Sequence, residues 1–237
     1  MLAFIAWTLC IGGIWLCLRP FLSEASRTKG GALALHRWSC VVCFILGVKR
    51  FVSGEPRREP VLFAANHIGY LDIAVLASEV PVVFVSKAEV ANWPILGPLG
   101  RAIGTIFLER DRPRSMIEVA TRMRDVFRYD QSVVVFPEGT TTEGRGISDL
   151  RPALFEPAFR AEVPIQGVFL EYVPRSPSET SQVGWYGEDT FLPHFYRLLC
   201  GGGWTARIRF QDKCGSYADR REAAQTLQTW MKSSLSF

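Results

Sequence analysis

Two hundred and thirty-seven residues, 48% of them hydrophobic and 21% charged at a mean hydropathy of +0.11, suffice for one full hydrophobic core and fall short of two domains of ordinary size. This composition excludes a disordered chain, and 14 Pro and 20 Gly scattered without a period exclude collagen-like, solenoid and low-complexity architectures. The net charge of +4 is unevenly placed: residues 1–60 hold 8 Lys/Arg against 3 Asp/Glu and the remainder 19 against 20, a basic, apolar leader before a neutral body, which points to a membrane surface and away from nucleic acid.

Met1 to Leu18 contains no charged residue, and as a helix it would span about 27 Å, close to the hydrocarbon thickness of a bilayer. It lacks the charged start and the small-residue cleavage site of a signal peptide. A second apolar stretch, Trp38 to Val48, is too short to cross alone and reads as a dipping or interfacial helix whose basic ends reach headgroups. One crossing or none is expected, and Arg19, Arg27 and Lys29 after the first stretch place the body on the cytoplasmic face. Cys10, Cys17, Cys40 and Cys43 lie in this leader. The Cys40-x-x-Cys43 spacing has no second pair or spaced histidines to complete a zinc site, so the thiols read as small apolar filler and no metal is implied.

After Gly54-Glu55-Pro56, short apolar runs recur at Val61–Ala65, Val82–Ser86, Ile103–Leu108, Val133–Phe136 and Pro164–Leu170. Ser115 to Tyr129, between two of them, has Met116, Val119, Ala120, Met123, Val126 and Phe127 at helical spacing. Near-continuous apolar strands separated by helices indicate an α/β body with a mostly parallel sheet flanked by helices. Tyr172 to Tyr196 reads as loop with a weak strand, Ala206–Gln211 as a last strand and Ala218–Lys232 as a closing helix. The division expected is a membrane-anchoring segment over 1–53 and a catalytic domain over 54–237.

Reactive groups of such sheets collect where strands end. The first run stops at Asn66-His67-Ile68-Gly69-Tyr70-Leu71-Asp72, where a histidine and a carboxylate five residues on can form an imidazole–carboxylate pair that fixes the tautomer and leaves the other ring nitrogen as a base. The fourth run ends in Phe136-Pro137-Glu138-Gly139-Thr140 and the third delivers Arg110, whose planar fork suits a phosphate. These blocks, with Val163-Pro164-Ile165, stand in the order and spacing of four blocks of the glycerolipid acyltransferases, and over these 100 or so residues the sequence resembles the 1-acylglycerol-3-phosphate acyltransferase family. Ser86-Lys87-Ala88-Glu89 and the turn from Trp93 to Gly100 extend the likeness.

The resemblance implies that His67, oriented by Asp72, is the general base on a lysolipid hydroxyl that attacks an acyl thioester. It implies that Arg110 holds the acceptor phosphate with Lys87 and Arg151 as helpers, and that Glu138, Gly139 and Thr140 shape the acceptor site. Acyl-CoA or acyl carrier protein would be the co-substrate, membrane lysophosphatidate the acceptor and phosphatidate the product, and no other cofactor is called for. The sequence departs from the family pattern after Thr140, where Thr141-Thr142-Glu143-Gly144-Arg145 replaces the usual Arg-Ser. Either Arg145 supplies the missing guanidinium or the acceptor is another lysolipid, such as a lyso-ornithine lipid. A phospholipid transacylase and a noncatalytic lipid-binding protein of the same fold remain the competing readings.

Overall fold

The structure, a computed structural model, describes the chain apart from residues 94, 110–112, 175–182, 188, 201–202, 216 and 236–237. In chain order the elements are α1 (Leu2–Leu18), α2 (Glu24–Ile45), β1 (Lys49–Ser53), β2 (Leu62–Ala65), α3 (Leu71–Glu79), β3 (Val82–Lys87), α4 (Leu96–Ala102), β4 (Ile106–Leu108), α5 (Pro113–Arg128), β5 (Ser132–Val135), α6 (Glu156–Ala161), β6 (Ile165–Pro174), α7 (Phe191–Cys200), β7 (Trp204–Phe210) and α8 (Arg220–Ser234). The strands form one sheet in the order β1-β7-β6-β2-β5-β3-β4. The run from β6 to β4 is parallel, β7 is antiparallel to β6, and β1 lies parallel to β7.

Alternation along β2 explains the layering, since successive side chains leave a strand on opposite faces. Phe63 and Ala65 enter the core with α2 and α3, together with Val75, Leu76, Val134 and Val168. Leu62 and Ala64 enter the opposite core with Val119 and Met123 of α5, Phe155 and Ala158 beside or on α6, and Leu227 and Met231 of α8. Both faces of the strand are fully buried, which is why it reads as an unbroken apolar run.

The second apolar stretch of the leader is not a separate interfacial helix but the C-terminal half of α2. Its inward side, Leu35, Val42, Cys43 and Leu46, belongs to the core of the body, and His36 Nδ1 donates to Ala77 O on α3 at 2.8 Å. A 22-residue helix whose buried side covers a sheet is stabilised by that burial, and the charged residues of its first half obscure its extent in the sequence. Gly30 and Gly31 permit the packing: a Cβ at Gly31 would stand 2.4 Å from Ile103 O and one at Gly30 2.6 Å from the Trp15 ring. Cys43 sits against Ser78 with its thiol pushed up to about 11 by burial, so it packs as a neutral group.

Helix α1 lies along the body at both ends. Phe4 meets Trp38 and Phe195, and Trp15 Nε1 donates to Ala102 O at 2.8 Å. Leu2, Ile5, Leu9, Ile14, Leu16 and Leu18 are exposed on its outer side, and Phe21 just beyond is 88% exposed. Among the described residues this is the one helix long and apolar enough to cross a membrane. Two of the basic residues after it have local partners: Arg27 donates to Arg19 O and Pro20 O at the end of α1, and Lys29 pairs with Asp130.

Three further elements differ from expectation. The third apolar run contributes a strand only from Ile106, because α4 continues to Ala102 and Gly104, at φ +90°, closes the turn between them. Of the segment Tyr172 to Tyr196, expected as loop with a weak strand, Tyr172 to Pro174 end β6, residues 175–182 lie outside the described residues, and the stretch from Phe191 is helix α7 where loop was expected. Strand β1 forms the last five residues of the expected anchoring segment yet joins the same sheet as β2, and α2 shares a core with residues after 54, so the two expected parts are structurally continuous.

Candidate active site

Strand β2 leaves the sheet at Asn66, and this residue continues the ladder with its side chain: Asn66 Nδ2 donates to Leu170 O at 3.0 Å and Asn66 Oδ1 accepts from Leu170 N at 2.7 Å. The chain then turns through His67 into α3, which carries Asp72 in its first turn. The expected pair is formed. His67 Nδ1 lies 2.7 Å from Asp72 Oδ2, and the same oxygen accepts from Ile68 N at 2.7 Å and Gly69 N at 3.0 Å. Asp72 is completely buried while the His67 side chain keeps 19% of its surface exposed. With Nδ1–H donated to the carboxylate, Nε2 carries the ring's lone pair.

The loop after β5 fixes His67 from the other side. Phe136 stacks on the imidazole at 3.9 Å between centroids and 15° between planes. Glu138 is buried, and its Oε1 accepts from His67 N at 2.8 Å while Oε2 accepts from Ser148 N at 2.8 Å. Thr142 N donates to His67 O at 2.9 Å, with its hydroxyl on the same oxygen at 3.2 Å. Both main-chain groups of His67 are thereby tied to the segment 136–142, which also supplies the ring stacked on the imidazole. Burial pushes the Glu138 carboxyl above its ordinary value near 4.5, against the downward pull of the two amides.

The expected acceptor residues divide. Glu138 has both oxygens engaged by backbone amides, so its visible work is to hold the His67 loop. Gly139 adopts φ +75°, and a Cβ there would stand 2.7 Å from Arg151 Nε. Arg151 lies on this turn, anchored by its own N–H to Pro137 O at 2.8 Å, and Thr140 is exposed beside it. Lys87 is exposed at the end of β3, on the sheet edge that also carries His67 and Glu138. Arg110 lies outside the described residues. Arg145 is 88% exposed and pairs with Glu143 at 3.7 Å, whereas it is Arg151 that adjoins the Phe136–Thr140 turn.

Two residues that sequence reasoning passed over complete the site. Tyr172 of β6 donates its hydroxyl to Asp72 Oδ1 at 2.8 Å; it lies 100 residues from Asp72 and only strand pairing brings them together. Tyr70 donates to His194 Nδ1 at 2.7 Å, and His194 Nε2–H donates to Gly184 O at 2.9 Å. Trp185 N donates to Ile68 O at 3.0 Å. These bonds draw Gly184, Trp185 and α7 onto the His67 loop.

A histidine with one nitrogen engaged by a buried carboxylate and the other without a hydrogen-bond partner among the described residues, at the carboxyl edge of a mostly parallel sheet, is an arrangement chemically able to accept a proton from a hydroxyl. The sequence profile of the Acyltransferase family matches residues 49–171. The chain is 33% identical over 215 residues to the lyso-ornithine lipid O-acyltransferase of Pseudomonas aeruginosa, covering 90% of this chain and 83% of that protein. It is 31% identical over 151 residues to the 1-acyl-sn-glycerol-3-phosphate acyltransferase of Neisseria meningitidis, covering 63% and 58%. The crystal structure of the 1-acyl-sn-glycerophosphate acyltransferase PlsC from Thermotoga maritima matches with a TM-score of 0.70 at 18% identity, over 99% of this chain and 94% of that one, which shows a shared fold. The chain belongs to the Acyltransferase family, and it is an acyltransferase of the lysophospholipid type.

Proposed function

We propose that this enzyme moves an acyl group from a thioester to the free hydroxyl of a lyso-ornithine lipid, with His67 as the base. The observation that carries the chemistry is the open Nε2 of an imidazole whose Nδ1 is held by buried Asp72 at 2.7 Å. The acceptor O–H gives its proton to Nε2 as the oxygen attacks the thioester carbonyl. The tetrahedral adduct then expels the thiolate, breaking the C–S bond, and the imidazolium returns the proton to sulfur. No acyl-enzyme is required. The donor is acyl-CoA or acyl carrier protein, whose shared reacting group is the thioester.

The acceptor assignment rests on the relative that covers nearly the whole chain and on Thr141 standing where the phosphate-using family pattern has arginine. Arg151, on the Gly139 turn, is suited to the headgroup carboxylate. Lysophosphatidate is the second reading, favoured by the Gly104 to Arg110 block and by the Neisseria relative. The outer side of α1 is the surface we assign to lipid, with the body on the cytoplasmic face as the basic flank from Arg19 to Lys29 favours.

The test offers purified protein each thioester with lyso-ornithine lipid, with lysophosphatidate, or with a diacyl phospholipid as the acyl source, and identifies products by mass spectrometry. Thioester-dependent acylation of lyso-ornithine lipid at the higher kcat/KM supports the assignment. Preference for lysophosphatidate transfers it to the second reading, and acyl movement only from the diacyl lipid makes the protein a transacylase.

A further inference from the structure

Asp72 receives four hydrogen bonds, unevenly shared. Oδ2 takes three, from His67 Nδ1, Ile68 N and Gly69 N. Oδ1 takes the fourth, from the hydroxyl of Tyr172 at 2.8 Å. The three donors on Oδ2 all come from the turn that carries His67 itself, whereas Tyr172 reaches the carboxylate from the sheet, the rigid part of the molecule. Its place on β6 is determined locally: Leu170 is clamped to Asn66 on both its main-chain groups, Tyr172 lies two residues further along the same face, and β7 holds it from the other side at the Tyr172–Ala206 register. The residue before His67 thus sets the strand that reaches the partner of His67.

We propose that Tyr172 is a positioning residue of the acyl-transfer site: by donating to Asp72 Oδ1 it fixes the plane of the carboxylate so that Oδ2 faces His67 Nδ1, and it draws off part of the negative charge that the imidazole meets. The inference rests on the reading of His67 as the base. The phenol is buried and kept protonated by burial and by Asp72, so it acts as a donor throughout the working range. The other titratable groups around the pair are Glu138, on the main chain of His67, and Cys43 of α2, whose buried thiol is neutral.

Without the hydroxyl, Asp72 turns more freely about its own side chain and its charge falls more fully on His67. The first effect lowers kcat. The second favours the imidazolium, which cannot act as a base, so the acid limb of the rate profile moves to higher pH. A hydroxyl that served only packing would change stability and leave the limb where it is.

The experiment compares full-length wild type, Tyr172→Phe and His67→Ala in the same detergent, following acceptor-dependent thiol release between about pH 5 and 9. For Tyr172→Phe we expect kcat about tenfold lower, acceptor KM within about twofold, and the acid limb raised by about half to one pH unit. Rates are divided by the fraction folded at each pH, read from the unfolding transition, so that the position of the limb reports the base and a loss of stability leaves the test intact. A wild-type limb and kcat in Tyr172→Phe, with His67→Ala inactive, overturns the inference and leaves the base standing. Full activity in His67→Ala overturns both.

Discussion

Replacing Glu138 by Gln separates the structural work of this carboxylate from any direct contact with substrate. Its two oxygens each accept a backbone N–H, from His67 and from Ser148, at 2.8 Å, in a buried setting. Gln keeps the shape but turns one oxygen into a donor, so one amide loses its acceptor. A hydrogen bond to a charged group contributes about 1.5–3 kcal/mol, and an orphaned buried donor costs a similar amount. Ser148 is the more exposed of the two partners, so we expect the glutamine oxygen to stay with His67 and the cost to fall near the low end, about 2 kcal/mol. For a chain of this length that lowers Tm by roughly 4–8 °C, measurable by thermal unfolding in detergent beside thiol release. Activity below the new Tm should fall only a few-fold, because the His67 amide remains bound. A Glu138→Gln enzyme with unchanged Tm and activity reduced by about a thousandfold would refute the assignment and put Glu138 on the substrate.

Gly139→Ala must force a Cβ to within 2.7 Å of Arg151 Nε at φ +75°, which costs about 1–2 kcal/mol and should raise acceptor KM with little change in donor KM; an unaltered acceptor KM would remove Arg151 from the headgroup site. Arg151→Ala should raise acceptor KM by about tenfold, while Arg145→Ala, at an exposed surface pair, should leave it unchanged. Deleting residues 1–22 should abolish flotation with vesicles and leave a folded body by circular dichroism, whereas deleting 1–50 removes Leu35, Val42 and Cys43 from the core and should prevent folding. Because the Glu138 carboxyl is raised by burial, its contribution to stability is fully present below about pH 4.5 and is lost as pH rises through its folded value; Glu138→Gln should flatten that part of the stability–pH curve.

The sheet was legible where strands are buried on both faces. Leu62 to Ala65, Val82 to Lys87 and Ser132 to Val135 are nearly unbroken apolar runs, and nothing but a covered parallel strand explains them well. Strand β1 escaped notice because Lys-Arg-Phe-Val-Ser is exposed along its whole length and is held by its pairing with β7. The extent of α2 was hidden by the charged residues of its first half, which face outward while Ala32 and Leu35 face the core. In the site, His67 and Asp72 could be paired from the sequence because five residues across a turn leave them little choice. Tyr172 could not: no local pattern marks a tyrosine whose hydroxyl is aimed at a carboxylate 100 positions away. The role of Glu138 was hidden for a related reason, since a carboxylate at a strand end looks the same whether it faces substrate or the main chain.

Whether His67 Nε2 takes the acceptor proton is decided by acceptor-dependent release of thiol from acyl-CoA and acyl carrier protein by wild type and His67→Ala, each shown to be folded by its unfolding transition. Wild type should release thiol only when a lysolipid is present, and the folded variant should lose at least about a thousandfold. Equal rates in the two proteins, or release indifferent to the lysolipid, would contradict it.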